Sequence, residues 1–510
     1  MQVVIVGGGL AGLRTAEELR ARGFSGQITM IAAESRPPYD RPPLSKQALA
    51  GAAQPGAMPS GPMPSGPMPS GPMPSGGMPS GPMPSGGMPS GPMPSGGTQP
   101  GAAQLGELLA GEADPARIAG ELDTTLQADF AALGVDLHLG EPATGLDLAP
   151  PGSGGAGGLT AAPAAAGHRR GPGGLGSADG TVGRVRTAHG EYPFDRLVVA
   201  TGAEPVALPG PGRQRFLRTH EDALELRARL RPGVRLVIVG AGWIGAELAT
   251  AAAARGCQVT VVEAGPAPLA GAVGAEVGAR TIPWYAAAGV ELRTSQPVEA
   301  VEDGGLALAG GGWIPADEIV TAVGVRPAVG WLAGSGLQLD NGVAADEGLR
   351  TSAPGVYAVG DCASFLSLRY GRRLRFEHWD VAVQGPRVVA ANILGGHKFY
   401  DPVPYSWSEQ FGRMMQYAGY HADASRLIWR GPDGGPADGS ARRSAGGSAG
   451  PPDDGPWTAC WLSGPRLVAV LAVDRPRDLV QGRRLIAAAA SVDAGLLADP
   501  AVPLRSATVN

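Results

Sequence analysis

Apolar residues along this chain gather into short, nearly unbroken runs: VVIVG (3–7), ITMIAAE (28–34), RLVVATG (196–202), RLVIVG (235–240), QVTVVEA (258–264) and VYAVGD (356–361). A strand with one wet face alternates apolar and polar positions. A run that is apolar throughout is covered on both faces, as in parallel sheets flanked by helices. Helical spacing appears between several runs, for instance at Ile244, Leu248 and Ala252. The pattern predicts an α/β fold with parallel sheets. The most membrane-like stretch, Leu236–Ala254, carries Glu247 and several glycines, and reads better as strand, turn and helix than as a membrane span.

Three segments break this pattern. Residues 58–97 repeat Met-Pro-Ser-Gly eight times, with a Pro or Gly spacer, and hold eight of the 12 methionines. Proline blocks helix and ladder pairing, and glycine maximises the entropy of the unfolded chain, so residues 51–104 are expected to be an inserted linker. Thioethers bind Cu(I), but nothing in the repeat places the sulfurs together. Residues 150–182 and 431–456 are two further Gly/Ala/Pro-rich inserts.

Two turns between strand and helix carry chemistry. Gly7-Gly8-Gly9-Leu10-Ala11-Gly12 follows the strand VVIV and opens a helix expected to reach about Arg22. In such a GxGxxG fingerprint Gly7 permits the tight turn, Gly9 lets backbone approach a pyrophosphate, and Gly12 lets helix and strand pack closely. The helix N-terminus offers unpaired N–H groups to the phosphates. Glu34 ends the next strand, where a carboxylate can accept from a ribose diol. The pattern recurs at Gly240-Ala241-Gly242-Trp243-Ile244-Gly245, with Glu263 ending the following strand. One fingerprint is weak evidence. Two complete units predict two bound dinucleotides. Glu263 would repel a 2′-phosphate, and Ala264 and Gly265 supply no compensating cation, which favours NADH over NADPH at the second site.

Bulk properties narrow the class. The chain has 510 residues, room for two to four domains, and 43% hydrophobic residues support sizeable cores. A net charge of −5 gives no basic surplus for nucleic acid. Cys257, Cys362 and Cys460 are widely spaced and odd in number, which argues against a disulfide framework or a zinc site and for a reducing cytoplasm. The start MQVVIVGGG lacks the features of a secretory signal, so no membrane association is expected.

The segment Tyr39-Asp40-Arg41-Pro42-Pro43-Leu44-Ser45-Lys46 resembles the YDRPPLSK segment of FAD-dependent ferredoxin reductases. That family includes putidaredoxin and rubredoxin reductases and the reductase components of dioxygenases. Further matches are Ala200–Ala203, LRTHEDALELR (217–227), AVGVRP (322–327), VYAVGDCA (356–363), Glu377-His378-Trp379 and the segment 474–504. The resemblance covers the chain except the three inserts. It implies two Rossmann-like domains and a C-terminal α+β interface domain. The FAD-binding domain would be residues 1–210 and 331–400, the NADH-binding domain 211–330, and the interface domain 401–510.

The same resemblance assigns residues. Arg41 would lie by the FAD phosphates or adenosine, and Lys46 near the flavin ring. Glu247 would face the flavin and pair with Lys46. Asp361 would meet the ribityl chain, and Trp379 would stack at or near the flavin. Ala11, Glu34, Ala143 and Arg218 would complete the FAD contacts, Ala143 through backbone because valine is usual there. Gly240, Gly242, Gly245, Glu247, Glu263 and Gly324 would hold NADH. Lys46, Glu247 and Trp379 would be the catalytic group. Pro386 is unexpected where the family helix continues, and a proline inside a helix costs about 3 kcal/mol or forces a kink.

The reaction expected is hydride transfer from NADH to FAD, followed by single-electron transfer to a [2Fe–2S] ferredoxin, in service of an oxygenase or cytochrome P450. Disulfide reductases of similar architecture need two cysteines a few residues apart beside the flavin, and no such pair occurs here. Arg369, Arg372, Arg373 and Arg375 could steer an acidic ferredoxin or simply be a solvated charge run. The alternatives are a rubredoxin reductase, an NADH oxidase, or a non-catalytic flavin-bound signalling protein.

Overall fold

A computed structural model describes residues 1–50, 126, 128–149, 182–431 and 455–509. The Met-Pro-Ser-Gly repeat, and nearly all of the other two inserts, lie outside the described residues.

The first sheet is parallel and five-stranded, in the order Val356–Ala358, Arg196–Val199, Gln2–Val6, Gln27–Ile31, Val135–His138. Its central strand shows why a continuous apolar run was needed. Val3 and Ile5 enter a core on one face with Ala16 and Leu19 of the helix Leu10–Ala21, while Val4 and Val6 enter another core on the opposite face with Leu197 and Val199. Each fully buried aliphatic side chain contributes about 1.5–3 kcal/mol of transfer free energy. The helix Trp379–Ile393 lies beside the helix Leu10–Ala21, and Arg387 pairs with Glu18 at 3.3 Å.

The second sheet repeats the design. Glu291–Arg293, Gln258–Val262, Arg235–Val239 and Glu318–Thr321 run parallel. Leu236 and Ile238 face one core, Val237 and Val239 the other. The helix Trp243–Ala254 follows the second fingerprint. The stretch 236–254 is therefore strand, turn and helix, and among the described residues no helix is long and apolar enough to cross a membrane.

The last sheet is antiparallel, in the order Tyr405–Gln410, Arg413–Gly419, Arg466–Val473, Trp457–Ser463, Arg426–Arg430. One face is covered by the helix Pro476–Ala487 through Leu479, Leu485 and Ile486. The other face packs Met415, Trp457, Trp461 and Leu471 against Leu269, Val273, Val277 and Trp284 beside the second sheet. Arg280 sits over both Trp429 and Trp457, 4.7 and 5.4 Å from their ring centroids. The fold is thus α/β, with two parallel sheets each covered by helix on one face and by a three-stranded antiparallel sheet on the other, and a C-terminal α+β element.

Two details differ from the sequence reading. The strand expected over 356–361 ends at Ala358. Gly360, at φ 76°, turns the chain into a short 3-10 turn, Gly360–Cys362, that carries Asp361. The helix expected to suffer at Pro386 runs unbroken from Trp379 to Ile393 with Pro386 buried inside it. Gly385 beside the proline allows the close approach, since a Cβ there would lie 2.6 Å from Val359 Cγ2. Pro386 only withholds the N–H that would have served the Ala382 carbonyl.

Candidate dinucleotide site

The two fingerprints are built alike. Gly7 (φ 124°) and Gly240 (φ 103°) turn the chain, and a Cβ on them would come within 2.1 Å of the Ala200 carbonyl and 2.5 Å of the Ala322 carbonyl. A Cβ on Gly12 would lie 2.0 Å from the Gly7 carbonyl, and one on Gly245 2.0 Å from the Gly240 carbonyl. The outer glycines are therefore required by the protein's own backbone. The middle ones, Gly9 and Gly242, cap the two helices and, among the described residues, have nothing within 4 Å of a would-be Cβ. They face open space, and only a ligand coming close would demand glycine there.

That space is one cavity of about 1440 Å³, larger than the roughly 300–1,000 Å³ that holds a drug-sized ligand. Both fingerprint turns line it. Of the residues singled out from the sequence, Gly7, Gly9, Ala11, Glu34, Arg41, Lys46, Ala143, Arg218, Asp361, Trp379, Gly240, Gly242, Glu247, Glu263 and Gly324 are all in its wall. Gly12 and Gly245 back the turns instead.

Along the first half, charged side chains are tied into a chain. Asp361 accepts from Arg218 at 2.9 Å, Arg41 donates to the Arg218 carbonyl and to Glu34, and Tyr39 donates to the second Glu34 oxygen. The Trp379 indole N–H donates to Asp40 at 2.8 Å, and its ring meets Trp407 edge-on. Burial pushes the Asp40 carboxyl upward. It also pushes the His378 imidazole down to about 4, so His378 is neutral near pH 7. In the second half, Glu263 accepts backbone N–H groups of Ala241 at 2.8 Å and Gly265 at 2.7 Å, which pins the carboxylate beside the fingerprint turn.

Lys46 and Glu247 meet at 3.0 Å where the two halves adjoin, with side chains 11% and 2% exposed. A carboxylate so deep needs every donor it can find. Glu247 also receives hydrogen bonds from Ser45 and, at 2.6 Å, from Ser408 of the last sheet.

Sequence reasoning missed several groups in this wall. Tyr39, Asp40, Ser45 and His378 sat inside motifs already quoted, and their contacts were the missing information. Trp331, Gln296 and Trp407 lay outside any motif, as did Ser408, which lies behind the wall and bonds a residue 161 positions away. The four clustered arginines are tied internally. Arg369 donates to the carbonyls of Ile486 and Ala487, Arg372 pairs with Asp423, Arg373 donates to the Ala345 and Ser364 carbonyls, and Arg375 pairs with Glu377.

The wall suits two polar dinucleotides. Four of its buried polar atoms, Arg218 Nε, Gln296 Oε1, Trp331 Nε1 and His378 Nδ1, have no partner among the described residues, and buried polar groups rarely stay unpaired. Two helix N-termini and two open glycines await phosphates. No cysteine lines the cavity. Cys362, next to Asp361, is buried and gives its thiol to backbone carbonyls at 3.4 Å.

Comparison with known proteins agrees with this geometry. The model of the "Pyridine nucleotide-disulphide oxidoreductase" family matches residues 1–110 and 175–385. The chain belongs to that family. A second model, "Reductase C-terminal", matches residues 405–508 and places this oxidoreductase with the ferredoxin-reductase type. The ferredoxin–NAD(+) reductase component of the anthranilate 1,2-dioxygenase system of Burkholderia cepacia is 35% identical over 337 residues, 63% of this chain and 77% of that one. The crystal structure of Fdr9 superposes with a TM-score of 0.71 at 39% identity, covering 99% of both chains. The reductase in the covalent putidaredoxin reductase–putidaredoxin complex does so with a TM-score of 0.71 at 27% identity, covering 99% of this chain and 97% of that one. This flavoprotein oxidoreductase uses FAD and NAD(H), as its family does.

Proposed function

We propose that the chain is an NADH:ferredoxin reductase that takes hydride from NADH and passes electrons singly to a small iron–sulfur protein outside itself. The observation that carries this reading is the single cavity, which joins two fingerprints across the Lys46–Glu247 pair and contains no cysteine in its wall. Family members named for disulphide chemistry need a dithiol beside the flavin. Here the electrons have no internal thiol to go to, and an external acceptor is required. The relatives' names point to its kind, a ferredoxin serving an oxygenase, with a rubredoxin as the alternative.

Residues of the first half would hold FAD: Gly7, Gly9, Ala11, Gly12, Glu34, Arg41, Lys46, Ala143, Arg218, Asp361 and Trp379. Those of the second would hold NADH: Gly240, Gly242, Gly245, Glu247, Glu263 and Gly324. The bound flavin supplies the two-electron to one-electron conversion that a nicotinamide cannot perform alone. The protein orients and polarises. Lys46 places a cation at the junction of the halves, Glu247 fixes where that cation sits, and Trp379, held by Asp40, walls the same region. Glu263 favours NADH over NADPH. It is pinned at the strand end, and the neighbouring Arg293 is committed to Glu291 at 2.8 Å.

The domain division follows the sheets. Strands from residues 2–6 to 196–199 and again 356–358 share the first sheet, which supports an FAD-binding domain of 1–210 and 331–400 around an NADH-binding domain of 211–330, with 401–510 after them. Three unpaired cysteines suit a cytoplasmic location. To test the function, the FAD-loaded chain is mixed with NADH or NADPH under anaerobic conditions. NADH bleaches the flavin absorbance at least tenfold more efficiently than NADPH, and a [2Fe–2S] ferredoxin restores the colour. Equal use of both nucleotides would overturn the assignment of Glu263.

A further inference from the structure

We propose that Ser408, from the last sheet, is a positioning residue for the Lys46–Glu247 pair, so that the C-terminal element takes part in the reaction with NADH. This deepens the reductase reading and rests on it.

Glu247 stands on the helix Trp243–Ala254, and its carboxylate is nearly inaccessible to water. An ionised carboxylate only accepts hydrogen bonds, and every acceptor left empty in such a place is costly. Three groups from two distant parts of the chain fill it. Lys46 Nζ reaches Oε1 at 3.0 Å and Oε2 at 3.1 Å, Ser45 donates to Oε2, and Ser408 donates to Oε1 at 2.6 Å.

The direction of the Ser408 bond is fixed by its neighbour. Gln410, fully buried, donates its side-chain N–H to Ser408 Oγ at 3.0 Å. A hydroxyl has one proton. With the oxygen receiving from Gln410, that proton is committed to Glu247. Ser408 sits between Trp407, which lines the cavity, and Gln410, so one strand, Tyr405–Gln410, carries wall, donor and orienting amide.

The consequence concerns Lys46. Each hydrogen bond that Ser408 gives Glu247 is one that Lys46 need not give. With Ser408 present, the ammonium is shared between Glu247 and the Pro42 carbonyl, 3.4 Å away in the cavity wall. Without it, Oε1 depends on Lys46 alone, and the ammonium is drawn onto the carboxylate and away from the nucleotide junction. Binding of NADH, which is gripped at the second fingerprint, is left as it was.

The test uses the full FAD-loaded chain and Ser408→Ala, Ser408→Thr, Glu247→Gln and the double variant Ser408→Ala/Glu247→Gln. The rate of flavin bleaching at saturating NADH falls about tenfold in Ser408→Ala, a typical loss for one hydrogen bond to a charged group. The NADH concentration for half-maximal bleaching stays unchanged, and Ser408→Thr, which keeps the hydroxyl, restores the rate. In thermal unfolding, the shifts of Ser408→Ala and Glu247→Gln are not additive in the double variant, as expected of residues in contact. Bleaching by Ser408→Ala at the wild-type rate, or additive unfolding shifts, overturns the proposal. If Ser408→Ala does not hold FAD, Gln410→Met decides: slowed bleaching supports the relay, and a wild-type rate refutes it. Failure of NADH to bleach the wild-type chain counts against the reductase reading instead, and the unfolding cycle still judges the Ser408 contact.

Discussion

A carboxylate with a side chain 2% exposed survives at position 247 because three donors surround it, and the cost of removing them is unequal. Replacing Lys46 with Met leaves a buried charge without its cation, an expected loss of about 3–5 kcal/mol, whereas the double variant Lys46→Met/Glu247→Gln removes both charges and recovers part of it. Denaturant unfolding of the two variants measures the difference; a double variant no more stable than Lys46→Met would contradict it. His378 gives a pH signature. Burial lowers its folded-state value from the ordinary 6.5 to about 4, so the unfolded chain binds the proton more readily between those values. The stability contributed by neutral His378 is complete above about pH 6.5 and is lost as pH falls toward 4. His378→Phe is therefore expected to lose less melting temperature than wild type between pH 7 and 5. At this scale the sequence was readable wherever a motif held the residue. Lys46, Glu247 and Trp379 were all found through motifs, but Trp379's partner Asp40 went unremarked inside one, and Ser408 left no local sign because its partner lies on a helix 161 positions away.

At the scale of elements, the strand–turn–helix units were legible because their demands are local. Each outer glycine answers a clash within its own unit or with the adjoining strand, and each middle glycine answers only a ligand. The two kinds of position separate experimentally. Gly12→Ala forces a Cβ to 2.0 Å from a carbonyl and lowers the melting temperature along with FAD content. Gly9→Ala meets no protein atom, so the chain folds with wild-type secondary structure by circular dichroism yet retains far less FAD. Gly242→Ala keeps FAD and raises the KM for NADH. Loss of folding in Gly9→Ala would show that the middle glycine serves the protein. Pattern reading failed at two elements. Asp361 was placed on a strand end that Gly360 turns away, and Pro386 was treated as a threat to a helix that packing holds intact.

Across the whole molecule, two inserts fall where chain ends already meet. Leu148 pairs with Gly183, and Arg430 with Thr458, so each insert joins strand ends that are already paired, and the entropic cost of such a connection grows only with the logarithm of its length. Replacing residues 151–181 by Asn-Gly should leave flavin content and melting temperature within experimental error, read by absorbance and calorimetry. Composition marked these segments as foreign to the fold, and topology explains why the fold tolerates them. The packing of the last sheet on Trp284 and Arg280 was not readable, since it joins residues far apart in sequence through side chains with no periodic signature.

The central claim is that one cavity serves two nucleotides and sends electrons out singly. Its most direct test is anaerobic turnover with a limiting amount of NADH and an excess of [2Fe–2S] ferredoxin, followed by absorbance. Two ferredoxins reduced per NADH, at a rate well above oxygen consumption in an aerated control, is the expected result. NADH consumed only when oxygen is present, with hydrogen peroxide as the product and ferredoxin left oxidised, would contradict it.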